Sequence, residues 1–271
     1  MTLGQRTTAL AIVAAVTAGG VSLVAQRRFF QRPAVDFAPG RNGDYDGRFA
    51  FARLKYETNS PSGYYYCGLP AWAHGYASCR GGQRAETSLM RILNEVSYLA
   101  PHIEEGEVLA LDDPELFKYP VAYMTEAGYW QLSDTEAAAF RAYLQKGGFA
   151  IFDDFRGDFR GGGGWENFAA NMARVLPGVQ FVDMQPSHPI FHSFFEIDSF
   201  DVIPQAYDAS RPIIRGIFEN NDPSKRLMAI INYDTDVSDF WEFSATGFRP
   251  IDESNEAYKL GVNYIIYGLT H

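Results

Sequence analysis

A three-layer α/β fold with a mostly parallel sheet is predicted for this chain by three features. Short runs such as Phe149-Ala150-Ile151-Phe152 are apolar on both faces, as strands covered from both sides must be. Helical patterns alternate with them, and the succession of strand, helix and strand from Val121 to Phe152 has the crossover length of a parallel, right-handed connection. No heptad run or internal repeat competes with this reading.

The clearest unit is Leu132 to Phe155, LSDTEAAAFRAYLQKGGFAIFDDF. Ser133 and Glu136 have the spacing of a capping box, with Leu132 outside it as a hydrophobic staple, so a helix is predicted from Asp134. Ala137, Phe140 and Leu144 form its apolar face, and Gly147 supplies the left-handed stop. Asp153 and Asp154 then stand where the following strand emerges.

The remaining elements follow in order. Arg6, the uncharged stretch Ala9 to Ala25 and the basic Gln26-Arg27-Arg28 make residues 1–25 an export signal, either a cleaved signal peptide or an uncleaved membrane anchor. Residues 26–48 read as a linker, and 49–271 as a single α/β domain. Within it, Phe49 to Lys55 is a predicted strand, followed by a long loop rich in aromatics and glycine that holds both cysteines. Leu89, Ile92, Leu93 and Val96 mark a helix ended near Pro101, and strands are expected at Val108 to Leu111 and Val121 to Met124. After Asp154 come a glycine tract, a helix carrying Phe168, Met172 and Val175, and a strand from Val179 to Val182. His188 to Arg211 reads as irregular, Arg226 to Asn232 as a buried strand, and Glu256 to Leu269 as the closing helix.

Composition excludes some functions. At 271 residues and 46% hydrophobic the chain can bury one sizeable core, and a net charge of -10 without a basic stripe argues against nucleic acid or an anionic membrane surface as partner. Membrane contact is expected only through the N-terminal segment. Cys67 and Cys79, in an exported chain, are expected to form a disulfide worth about 3 kcal/mol. His74, in the same loop, offers with them too few ligands at a recognised spacing for zinc.

Ligands of open parallel sheets bind where strands end. Three groups should meet there: Glu126 with Tyr129 and Trp130; Asp153 and Asp154 with the glycine tract; and Asn232, Asp234, Asp236 and Asp239, with Trp241 beside them. Such carboxylate density suits a sugar hydroxyl network, a cation or acid/base work. Asn232, Asp234 and Asp236 begin like a calcium loop, but Val237 and Phe243 stand where that loop needs glycine and a bidentate acid, so only an irregular divalent site remains open. Asp153, Asp154 and His188 are the candidates for catalysis, His188 as the base. The glycine tract lacks both the phosphate-loop and the dinucleotide pattern, no GxSxG elbow occurs, and no organic cofactor is expected.

The segments YPVAYMTEAGYWQLSDTEAAAFRAYLQKGGFAIFDDF, HPIFHSFF, RLMAIINYDTDVSDFWE and AYKLGVNYIIYGLTH resemble the bacterial envelope family known as domain of unknown function 4159. The resemblance spans about Phe49 to His271 and implies a flavodoxin-like fold of the class I glutamine-amidotransferase type, in a periplasmic, secreted or inner-membrane-anchored protein. The amidotransferase nucleophile is absent from the strand-to-helix turns, so that activity does not carry over. The expectation is a non-catalytic envelope domain that binds a small glycan-like ligand or a protein partner through an acidic cleft rimmed by Trp130, Trp165 and Trp241. The alternative is a hydrolase, glycan-directed, using the strand-end aspartates and a histidine.

Overall fold

The computed structural model describes residues 42–58, 65–66, 69–76, 84–104, 106–156, 164–202 and 212–271. The expected export segment, most of the linker, Cys67, Cys79 and residues 157–163 of the glycine tract lie outside them.

Apolar runs between Ala52 and Tyr233 assemble into a 7-stranded sheet: β1 (Ala52–Lys55), β2 (Glu107–Ala110), β3 (Val121–Thr125), β4 (Phe149–Phe155), β5 (Val182–Asp183), β6 (Ile213–Phe218) and β7 (Leu227–Tyr233). Their spatial order is β2-β1-β3-β4-β7-β6-β5, with β2, β1, β3, β4 and β7 parallel. β6 and β5 close one edge antiparallel. At the other edge, the carboxamide of Asn42 bonds the backbone carbonyl and amide of Val108, each at 2.9 Å, so the end of the predicted linker is attached to the sheet.

Side-chain alternation along the strands sorts the core into two layers. Ala150 and Phe152 of β4 face helices α2 (Asp134–Gln145) and α3 (Gly164–Val175), where Phe140, Trp130 and Phe168 pack. Phe149 and Ile151 face α1 (Ala85–Val96), α4 (Val237–Glu242) and α5 (Ile251–Thr270), with Leu89, Trp241 and Leu260. This is the three-layer α/β arrangement. The capping box at the start of α2 is formed, and Gly147 beyond its end has φ +114°.

Some elements differ from expectation. β6, in a segment without assigned structure, reads IIRGIF, and Arg215 and Gly216 interrupt any simple alternation. Gly216 is required there, since a Cβ would lie 2.6 Å from Met184 Sδ and 2.7 Å from Leu227 Cδ1. The strand expected from Val179 begins only at Val182, and α5 starts at Ile251 rather than Glu256 because its first turn is exposed and has no apolar period to reveal it.

Candidate functional site

Strand order reverses between β1 and β3, and the chain segments leaving β1, β3, β4 and β7 meet beyond their C-terminal ends. This is the place where open α/β sheets bind ligands. The acids there are set by unusual backbone: Glu126 (φ +53°), Asp154 (φ +57°) and Asp234 (φ +61°) all adopt the left-handed conformation, just past or at the ends of β3, β4 and β7. Non-glycine residues held there cluster at functional sites. Backbone bonds hold them, from Glu126 N to Asp153 O at 3.0 Å and from Asp234 N to Phe155 O at 2.8 Å. The register between β4 and β7 shifts between Ile231 and Tyr233, where β4 carries an extra residue. Such a bulge re-aims side chains, and here it sends Asp153 and Asp154 to different partners.

Asp153 is fully buried. It accepts from the Tyr123 hydroxyl (2.9 Å), Asn232 Nδ2 (3.2 Å), Val237 N (3.3 Å) and Ser238 N (3.0 Å), and Tyr264 in turn donates to Asn232 Oδ1 at 2.9 Å. Burial, then the neighbouring charge of Asp236, push its carboxyl up to about 7 against the pull of these donors. Its surroundings make it the tie between β4, β7 and the start of α4.

Asp154 faces a histidine that the sequence did not place there. His74 Nδ1 lies 2.5 Å from Asp154 Oδ2 and 3.5 Å from Glu126 Oε1, and Thr125 Oγ1 donates to the same Asp154 oxygen at 3.2 Å. Burial alone would lower the His74 imidazole, but Asp154, Glu126 and Asp236 carry it well above its ordinary value. Asp236 is also raised, by burial and by Asp154 and Asp239. One Asp236 oxygen is used locally, accepting from Ser238 Oγ and Asp239 N, each at 2.9 Å.

The loop carrying His74 is fixed from beneath. Arg53 of β1 is buried against Glu86 of α1, and its Nη1 donates to the carbonyls of Trp72 (2.9 Å) and His74 (2.7 Å). Gly75, with φ +73°, turns the chain so that its carbonyl accepts from Ala85 N at 2.9 Å at the start of α1. Tyr56, just after β1, donates to the carbonyls of Thr125 and Glu126 at 2.9 and 2.8 Å.

The other expected site residues go elsewhere. His188 does not meet the aspartates. Its ring packs on Phe218 and Tyr267, and Phe218 pairs with Leu227 at the start of β7, the opposite end of the sheet. There it lines a surface pocket of about 420 Å³ with Lys225, Arg226 and His271. Trp130 and Trp241 are corrected from rim to core: Trp130 stacks on Phe152, and Trp241 packs on Tyr123 and donates to Ala257 O. Both are drawn inward because their rings complete the two helical layers. Trp165, partly buried, is covered by the guanidinium of Arg215. Tyr129 is also partly buried against the core. Asn232, Asp234 and Asp236 do not converge as a metal loop, since Asn232 is locked between Asp153 and Tyr264; only Asp236 turns to His74, and Asp239 pairs with Arg249.

A family model, "Domain of unknown function (DUF4159)", matches residues 51–269. The chain belongs to that family. The match covers the seven strands of the sheet, the helices up to residue 269 and every residue of the site just described. No curated protein matches the chain. In this DUF4159 domain the turn after β3 carries Glu126 in left-handed backbone, ahead of a single 3-10 turn, Ala127–Tyr129. Among the described residues no helix is long and apolar enough to cross a membrane.

Proposed function

We propose that this DUF4159 domain is an exported, envelope-associated module that binds a ligand or a partner at the C-terminal ends of its strands, without chemistry of its own. The observation that carries this reading is the convergence of His74, Glu126, Asp154 and Asp236, delivered by separate segments into one largely buried place. A ligand offering a cation or several hydroxyl donors complements such a group, because each buried carboxylate oxygen needs a donor or a counter-charge. The apolar stretch from Ala9 to Ala25, flanked by arginines, supports export.

A second reading, a hydrolase, is favoured by one distance, the 2.5 Å between His74 and Asp154. A carboxylate orienting an imidazole is the arrangement of a general base, so His74 replaces His188 in that hypothesis. Thermal unfolding against glycan fragments, cationic peptides and divalent metals tests the binding reading, because a ligand of the native state raises stability by mass action. A rise abolished by Asp154→Asn supports it. Ligand-induced shifts that persist in that variant refute it, and turnover of a bound glycan would move the assignment to the hydrolase.

A further inference from the structure

His74, Glu126 and Asp154 each present a ligand atom, and all of these lie within 4.8 Å of one another. A first-row divalent ion bonds imidazole nitrogen and carboxylate oxygen at about 2.0 to 2.2 Å, and the 2.5 and 3.5 Å separations of His74 Nδ1 from Asp154 and Glu126 fall within the span of two such bonds. They come from the loop after β1, the turn after β3 and the bulge in β4, and both acids are held in left-handed backbone.

A fourth segment adds charge near this group. Asp236, after β7, is 4% exposed, and its Oδ1 accepts from Ser238 Oγ and Asp239 N. The carboxylate lies near enough to Asp154 and His74 for both charges to act on it. The same place holds the carboxylates of Asp154 and Glu126 and the imidazole of His74.

We propose that His74, Glu126 and Asp154 together hold one divalent first-row transition-metal ion, of the Mn²⁺ or Zn²⁺ kind. The inference rests on the strand-end site proposed above and names its ligand. An imidazole donor among carboxylates selects this class over Ca²⁺ and Mg²⁺, which prefer oxygen-only shells. The Arg53 bonds to the carbonyls of Trp72 and His74 place the histidine and leave its ring facing the acids.

A second histidine-acid group, His192 with Glu196 and Asp198, lies on an exposed turn and serves as the internal control. The full chain is stripped with EDTA and titrated with Mn²⁺, Zn²⁺, Mg²⁺ and Ca²⁺ by calorimetry and equilibrium dialysis, with far-UV circular dichroism confirming that each variant is folded. The expected result is one Mn²⁺ or Zn²⁺ per chain, an affinity reduced about tenfold or more by His74→Gln and by Glu126→Gln, and none of this altered by His192→Ala. Failure of the wild-type chain to retain either ion overturns the inference, as does binding unchanged by the His74 and Glu126 substitutions or lost with His192→Ala. If a glycan or peptide binds the metal-free protein and is lost in Asp154→Asn, the metal inference fails while the binding function stands. If neither ion nor ligand binds, both fail.

Discussion

Replacing Arg53 by methionine tests the framework beneath the site. Its guanidinium side chain is 1% exposed and its partner Glu86 7%, so the pair is screened from water on both sides. Methionine restores much of the aliphatic volume but supplies neither the charge facing Glu86 nor the donors to the carbonyls of Trp72 and His74. Removing one member of a buried pair typically costs about 3 to 5 kcal/mol, because the remaining charge stays buried and uncompensated. Among the described residues Arg53 Nη2 and Glu86 Oε2 have no hydrogen-bond partner, so the pair is incompletely satisfied and the loss belongs near the lower end, at about 3 kcal/mol. The double variant Arg53→Met/Glu86→Leu removes the stranded charge and recovers about 1 kcal/mol of that loss, and it still leaves two carbonyls without their donor, at about 1 kcal/mol each. The assay is a double-mutant cycle by urea unfolding of EDTA-treated protein, with an expected coupling of about 3 kcal/mol. A single variant destabilised by less than about 1 kcal/mol, or effects that add to within about 0.5 kcal/mol, would show that the pair does not hold this loop.

Other substitutions test other parts of the structure. Ser133→Ala removes the side-chain cap of α2 and should cost about 1 kcal/mol in chemical unfolding; no change would mean that the capping box adds nothing in this context. Gly148→Ala places a Cβ 2.4 Å from the Tyr143 ring, which also bonds Tyr119 O, so a loss of about 1 to 3 kcal/mol is expected, and a neutral result would show that the ring moves freely. His188 has its proton affinity lowered by burial and then by His271, and its Nδ1 accepts from Ile190 N. A histidine whose folded pKa lies below its unfolded value destabilises the fold at acid pH, and stability returns as pH rises toward the unfolded value of about 6.5. The advantage of the wild type over His188→Gln should therefore grow between about pH 5 and pH 7, and a gap that shrinks over that range would contradict the assignment.

Local chemistry made much of the fold legible. The box at Ser133 and Glu136, the stop at Gly147 and the apolar run from Phe149 each act through near neighbours, so the α2 to β4 unit stands where its own residues dictate. The positions of Glu126, Asp153 and Asp154 at strand ends followed from the same periodicities, because an apolar run stops where a strand leaves the core. β6 was hidden for the converse reason: its pairing with β7 is a property of Leu227 to Tyr233 as much as of Ile213 to Phe218, and Gly216 suits the strand only because Met184 and Leu227 crowd against it.

Sequence by itself therefore determined the fold class, the two-layer burial of the parallel strands and the acidic character of their C-terminal ends. Tertiary structure alone decided which histidine serves them. His74 sits 80 positions from Asp154 in a loop without periodicity, and no local pattern distinguishes it from His188, whose neighbouring proline looked equally suited to a built turn. The choice is made by Arg53, buried in β1 and bonded to the carbonyls on either side of Ala73. Side-chain direction likewise sent Trp130 and Trp241 inward, because the surface each covers depends on the helices packed across the sheet and not on the ring's own neighbours in the chain.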